Sequence, residues 1–202
     1  MSFLPAILAP FLALASLFTT SPYTRIVNRV ESSVVRITGE RDMGLFGPQF
    51  YVCSGVVIAQ HRILTAAHCV GDSMKVDERG PATVLKVDVY YDLALLQLTT
   101  DKPSLVFRDT PVVRFESLTA TGYAFGLSKP ITVTVQALLV DVPPIPELPP
   151  GLLTTPGYIG GMSGGPVADG RGEMVGIVQQ SNSGVGYGVG ILIIRSFLLG
   201  TN

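Results

Sequence analysis

Short runs of β-branched and apolar residues, each cut off by glycine or proline within about a dozen residues, dominate the chain from Val34 onward. Val34-Val35-Arg36-Ile37-Thr38 alternates and reads as a strand. So do Tyr51 to Ile58, Val84 to Tyr90, Leu93 to Leu98, Val112 to Phe115, Ile131 to Leu139, Val175 to Val178 and Gly188 to Ile194. Between them lie Gly44, Gly47-Pro48, Gly71-Asp72, Gly80-Pro81, Asp109-Thr110-Pro111 and Lys129-Pro130, the residues that turn corners. With 22 glycines and 15 prolines the chain cannot be a helical bundle, and the pattern predicts an all-β sandwich or barrel. Only Ile26 to Ser33 and Arg195 to Leu199 read as helix, and no fixed-period repeat is present.

One segment differs in composition. Asp141 to Gly157 carries Pro143, Pro144, Pro146, Pro149, Pro150 and Pro156. Proline cannot donate to a ladder, so this stretch is expected as a stiff surface loop, either a plain connector or the wall of a binding cleft.

The amino terminus is a separate unit. Residues 1–24 contain no charged side chain, and Phe3 to Phe18 is almost wholly apolar, though Pro5 and Pro10 interrupt it. The run is shorter than the roughly 20 residues that span a bilayer comfortably. Ala13-Leu14-Ala15 is an A-x-A site before Ser16, but no basic residue precedes the apolar run. A cleaved signal peptide, a membrane anchor and an ordinary core segment all fit. The first two place everything after Arg25 outside the cytoplasm, secreted, periplasmic or membrane-tethered, with membrane contact confined to the leader.

Charge narrows the partners. Lys and Arg number 14 against 15 Asp and Glu, a net charge of -1, which leaves no field to hold phosphate backbones, so no nucleic-acid partner is expected. A chain that is 47% apolar buries a core and is not disordered. Two cysteines and two histidines leave little from which to build a metal cage, and neither a metal nor a cofactor is expected.

Three short stretches carry chemistry: Leu64-Thr65-Ala66-Ala67-His68-Cys69, Tyr91-Asp92-Leu93-Ala94-Leu95-Leu96 and Gly160-Gly161-Met162-Ser163-Gly164-Gly165-Pro166. A serine hydroxyl is a weak nucleophile until an imidazole takes its proton. A carboxylate must then hold that imidazole in one tautomer and stabilise its cation. Backbone N–H groups must meet the developing oxyanion, which needs a tight turn of the kind glycine permits. Taken singly, each stretch has a plainer reading: a core histidine, an aspartate ending a strand, a glycine-rich β-turn.

In the order His, Asp, Ser, these stretches resemble the chymotrypsin-like (trypsin-fold) serine proteases. T-A-A-H-C, D-L-A-L-L and G-x-S-G-G-P are that superfamily's signatures, and the likeness runs over about residues 26 to 202. The resemblance implies two perpendicular six-stranded Greek-key β-barrels with the site in the cleft between them, followed by a short C-terminal helix. It divides the chain into 25–108, carrying His68 and Asp92, and 109–202, carrying Ser163, with the seam near Pro103 to Pro111. It implies that Ser163 attacks the scissile carbonyl, that His68 is general base and then general acid, and that Asp92 orients His68. The N–H groups of Gly161 and Ser163 would form the oxyanion hole. Asp72, Asp77 and Asp88 match no motif and are expected as solvated, and His61 as an exposed turn residue.

Cys53 and Cys69 stand sixteen residues apart, the second directly after His68. In secreted animal members of the family, cysteines at these positions form a disulfide. Such a loop would add about 3 kcal/mol and needs an oxidising compartment. The rival, a zinc site from Cys53, His61, His68 and Cys69, is disfavoured because adjacent residues do not easily face one ion.

The sequence also departs from the digestive members, whose nucleophile follows an aspartate that captures a new amino terminus. Here that residue is Met162, so Arg25-Ile26-Val27-Asn28 is not expected to act as an activation site. Gly-Met-Ser-Gly-Gly-Pro, with Ile26 to Val30 and Val34 to Ile37, is closer to HtrA-like bacterial and some viral members. HtrA-type proteins usually add a PDZ domain, which a chain ending at Asn202 is not expected to carry. The resemblance puts the specificity pocket's floor at Gly157. Its walls would be Gly157 to Gly161, including Tyr158, and Gln179-Gln180-Ser181. No carboxylate or histidine lies there, so cleavage is expected after small or medium apolar residues of polypeptide substrates, through an acyl-enzyme. The competing expectations are a non-catalytic protein-binding module on the same fold and a viral self-processing protease.

Overall fold

The computed structural model describes residues 21–42, 44–71, 73–143 and 149–200. The leader therefore lies outside the described residues except for Ser21 to Thr24, which open the first helix. Helix α1 (Pro22–Ser32) starts earlier than the expected Ile26. Ser21 caps it by accepting from the Thr24 N–H at 3.1 Å, and Pro22 sits in the first turn, where no N–H is needed. No helix among the described residues is long and apolar enough to cross a membrane.

After α1 come β1 (Val34–Asp42), β2 (Pro48–Ala59), β3 (Arg62–Thr65), β4 (Lys75–Val76), β5 (Thr83–Asp88) and β6 (Leu93–Gln97). They form a six-stranded antiparallel sheet in the order β4-β1-β2-β3-β6-β5. The second half contains β7 (Ser117–Gly122), β8 (Ile131–Val142), β9 (Gly151–Thr155), β10 (Pro166–Ala168), β11 (Met174–Asn182) and β12 (Val185–Gly190). These close into a barrel in the order β10-β11-β12-β9-β8-β7, and helix α2 (Ile191–Leu199) follows. The all-β architecture of two six-stranded units with a short C-terminal helix is present, the first unit as a half-barrel. Its β4 is two residues long and offers little ladder for closure.

Each half has its own core. Val35, Ile37, Val57, Ile63 and Leu96 pack inside the first sheet, while Leu118, Val135, Leu152, Val167 and Val178 fill the barrel. A third cluster joins them: Val56 and Leu64 meet Met174 and Ile177 together with Ile194 and Phe197 of α2. Burial of such side chains stabilises by roughly 2 kcal/mol each, and here that burial also fixes the two halves against one another.

Three expectations need correction. Val112 to Phe115 is a turn, with Phe115 at φ 66°, because the Glu116 carboxylate accepts from the Val113 N–H at 3.0 Å and the strand begins at Ser117. Ile191 to Ile194 is helix, since an apolar β-branched run does not distinguish helix from strand by itself. Ile191, Ile194 and Phe197 are buried at helical spacing and decide it. The proline-rich stretch is not one loop: Gly151-Leu-Leu-Thr-Thr, free of proline, is β9 and pairs with both β8 and β12. Pro144 and Pro146 lie outside the described residues. Beyond these, β3, β4, β7, β9 and β10, which are short or contain few β-branched residues, give no separate sequence signal.

Candidate active site

His68 sits on a single 3₁₀ turn, Ala67–Cys69, directly after β3. Asp92 precedes β6 in the left-handed region at φ 51°, which aspartate tolerates better than most residues. Three bonds lock the two segments together. The Ala67 N–H donates to Asp92 O at 3.1 Å, the His68 N–H to Asp92 Oδ1 at 2.8 Å, and His68 Nδ1 lies 2.7 Å from Asp92 Oδ2. An ionised carboxylate only accepts, so the ring proton belongs on Nδ1, and Nε2 of the neutral ring is left as a base. The Gln179 Nε2 group donates to Tyr91 O at 2.5 Å and braces the same corner from β11.

Ser163 is part of the Ile159-to-Gly165 turn, in which most carbonyls are engaged. Met162 N–H donates to Ile159 O (3.1 Å), Phe125 N–H to Gly160 O (2.7 Å), Ser54 Oγ to Gly161 O (2.8 Å), Gly165 N–H to Met162 O (2.9 Å) and Ser54 N–H to Ser163 O (2.8 Å). A trans peptide points its N–H away from its carbonyl. The Gly160–Gly161 and Met162–Ser163 peptides therefore turn their N–H groups away from these anchors, and neither N–H has an acceptor among the described residues. Gly161 adopts φ 95°, and a Cβ there would stand 2.3 Å from Tyr123 O, so only glycine fits. The Ser163 hydroxyl donates to Gln179 O at 2.8 Å, and no hydrogen bond joins it to His68.

The pocket residues divide. Gly157 is packed shut, since a Cβ on it would meet Ser181 Oγ at 2.1 Å. Tyr158 is a core residue of the barrel, 6% exposed and packed on Gly186, and burial pushes its phenol well above the ordinary range. Gln179 is buried, with its side chain on Tyr91 and only its carbonyl turned to Ser163, whereas Gln180 and Ser181 are exposed. Below them Tyr187 donates to Pro149 O at 2.5 Å. Burial, with Tyr90, Asp92 and Tyr91 nearby, pushes its phenol up to about 12.

Cys53 and Cys69 are joined by a disulfide with Cα atoms 5.9 Å apart, and Cys69 Sγ lies 3.7 Å from Ser163 O. Both sulfurs lie near His68, within 4.8 Å of its ligand atoms, but each is bonded to the other and supplies no thiolate to a zinc ion. His61 is half-buried in the β2–β3 turn at φ 61° and is not part of that group. Asp77 and Asp88 are not free in solvent as expected. Asp77 Oδ1 accepts from the Arg36 N–H on β1 at 2.8 Å, tying its turn to that strand, and Asp88 Oδ1 accepts from the Tyr91 N–H at 2.9 Å and caps its own turn. Asp72 lies outside the described residues.

The sequence reading passed over Ser54, Phe125 and the side chain of Gln179. Only Ser54 left a trace: a serine inside the apolar run Val52 to Ile58 implies a buried hydroxyl with partners.

The family profile described as "Trypsin-like peptidase domain" matches residues 53–177. No curated protein matches the sequence significantly. Among solved structures, the Rv3671c protease from M. tuberculosis in its active form superposes with a TM-score of 0.74 at 23% identity, covering 88% of this chain and 84% of that one. Its inactive form gives 0.70 at 23% identity, with 88% and 92% covered. The HtrA-type protease AlgW, solved with a tripeptide, gives 0.75 at 18% identity, and this chain spans 62% of its length against 88% of its own. At these identities the structures show a shared fold, while the profile spans more than half of the chain. On that match the chain belongs to the trypsin-like peptidase family and is by class a serine protease.

Proposed function

We infer that this protein is a serine endopeptidase that cuts polypeptides through an acyl-enzyme on Ser163. The observation that carries the reading is the Asp92 carboxylate on both the backbone and Nδ1 of His68, beside Cys69 whose Sγ lies 3.7 Å from the carbonyl oxygen of Ser163, a serine whose N–H and that of Gly161 are unengaged. In the first step the hydroxyl turns from Gln179 O toward His68. Its oxygen bonds to the scissile carbonyl carbon as Nε2 takes the proton, and the carbonyl oxygen becomes an oxyanion between the N–H groups of Gly161 and Ser163. His68 then gives that proton to the departing amine nitrogen and the C–N bond breaks. A water repeats the sequence, losing a proton to His68 and bonding to the acyl carbon. Ser163 Oγ leaves and recovers the proton.

A shut floor at Gly157, the filled space at Tyr158 and the lack of an ionisable side chain in residues 157–161 and 179–181 other than that tyrosine support cleavage after small or medium apolar residues. The apolar leader and the disulfide support a site of action outside the cytoplasm. AlgW, solved with a tripeptide, supports extended peptide as the ligand class.

A peptide-binding module on the same fold is favoured by one observation, the Ser163 hydroxyl engaged on Gln179 O. An alkyl fluorophosphonate separates the two readings. Labelling and turnover of unfolded casein that both vanish in Ser163→Ala support the protease. Turnover that persists in Ser163→Ala, or no labelling of the parent protein, overturns it.

A further inference from the structure

The turn that carries Ser163 belongs to the closed barrel, yet several of its anchors come from outside it. Ser54, on β2 of the first sheet, is 0% exposed and makes four hydrogen bonds. Its N–H donates to Ser163 O at 2.8 Å and its hydroxyl to Gly161 O at 2.8 Å. The same hydroxyl accepts from the Tyr123 N–H at 2.9 Å, and the Ser54 carbonyl accepts from Thr65 Oγ1 at 2.7 Å. Both hydrogen-bonding capacities of the hydroxyl are used on the second barrel, and the Thr65 bond steadies its backbone on the first.

These contacts act on one conformational choice. The Gly160–Gly161 peptide can place either its N–H or its carbonyl toward the cleft, and a glycine at φ 95° leaves the rotation sterically cheap. Phe125 N–H holds the carbonyl outward at 2.7 Å. Phe125 is 82% exposed and its own backbone is left-handed at φ 51°, so the Tyr123-to-Gly126 turn needs fixing in its turn. The Ser54 hydroxyl supplies that fixing at Tyr123, while it also grips the carbonyl that follows Gly161. The residue before the nucleophile, Met162, is buried and apolar and brings no charge to the task. We propose that Ser54 is the positioning residue of the oxyanion turn, holding the Gly161 N–H toward the cleft from the opposite half of the molecule by a neutral hydroxyl.

This inference rests on the protease reading, and the experiment keeps the two apart. Parent protein, Ser54→Ala and Thr65→Val are compared on a tetrapeptide p-nitroanilide ending in alanine or valine. Binding of a peptide aldehyde of the same sequence, whose hemiacetal oxygen occupies the oxyanion position, is measured alongside. Ser54→Ala is expected to lower kcat by about 10- to 100-fold, somewhat less than deleting an oxyanion donor outright, with KM little changed. Aldehyde affinity should fall by a similar factor, and the acid limb of the kcat/KM profile should stay where it is in the parent. Thr65→Val keeps the side chain's shape beside Gly164 and deletes only its bond to the Ser54 carbonyl, leaving both Ser54 bonds to the turn, and should destabilise the fold while keeping kcat. A kcat for Ser54→Ala within about threefold of the parent overturns the inference. So does an equal loss in Thr65→Val, or a loss confined to KM. If Ser54→Ala does not fold, Ser54→Gly takes its place; if neither folds while Thr65→Val does, the hydroxyl serves the fold and the inference fails. A parent protein without Ser163-dependent turnover overturns the protease reading itself.

Discussion

The two halves of the molecule hold their share of the site in opposite ways. The first sheet secures His68 with groups close to it: the Asp92 carbonyl and both carboxylate oxygens reach the Ala67–His68 segment, and the disulfide ties the next residue back to β2. The second barrel is the closed one, yet its Ser163 turn depends on Ser54 from the other half and on a mostly exposed turn at Phe125. Closure of a barrel therefore does not by itself make a rigid site. The half with a free sheet edge keeps its imidazole in place, whereas the closed half presents a serine whose surroundings are assembled across the interface.

The largest effect that would test this contrast is on the acid. Asn tolerates the left-handed backbone at position 92, so Asp92→Asn is expected to fold like the parent. Its amide can donate to Nδ1, which moves the ring proton to Nε2 and removes the base, for a loss of about 10⁴-fold in kcat. A loss below about tenfold, in steady-state kinetics at neutral pH, would show that His68 is not held through this carboxylate. Next in size is the disulfide. Replacing Cys53 and Cys69 together by alanine should lower unfolding stability by about 3 kcal/mol in denaturant titrations. Activity of the fraction that remains folded should change far less, because the three bonds between the Asp92 and His68 segments remain. The smallest effect lies in the second half, away from the cleft. Burial alone would raise the Glu116 carboxyl, but hydrogen bonds from Arg108 and the Val113 N–H hold it below its ordinary value. A depressed carboxyl stabilises the fold above its unfolded pKa, and that contribution disappears as pH falls through the folded value. Glu116→Gln should therefore cost about 1 to 2 kcal/mol at neutral pH, with the difference from the parent vanishing below the ordinary carboxylate range. A difference that persists into acid would mean that shape, and not charge, supports the turn before β7.

How much of this was legible follows from the kind of signal each part leaves. The residues whose chemistry is irreplaceable, an imidazole after T-A-A, an acid before L-A-L-L, a serine among glycines, stand out because few other side chains could serve there. Strands with long alternation, such as β1 and β8, were visible for the same period-2 reason. What stayed hidden is set by tertiary partners. Gly151 to Thr155 looked like part of a proline-rich loop until β8 and β12 took it up on both sides. Ile191 to Ile194 looked like strand until packing at helical spacing decided otherwise. Ser54 shows in sequence only as part of a β-prone segment, because its partners Tyr123 and Gly161 lie more than sixty residues away. The pocket region is equally hard to read from sequence: Tyr158 and Gln179 are buried, and the Gln179 side chain is engaged on Tyr91 O.

The Ser163 hydroxyl has one proton, so giving it to Gln179 O and giving it to His68 are mutually exclusive. Exchange between the two is a swing about a single carbon–carbon bond, complete in picoseconds to nanoseconds, far faster than turnover at typical rates of about 10 per second. The engaged orientation thus cannot act as a slow gate. In the proposed mechanism it would dilute the reactive enzyme: every 1.4 kcal/mol by which the resting orientation is favoured would leave one molecule in about ten ready at any instant and scale all acylation rates by that occupancy, whatever the substrate.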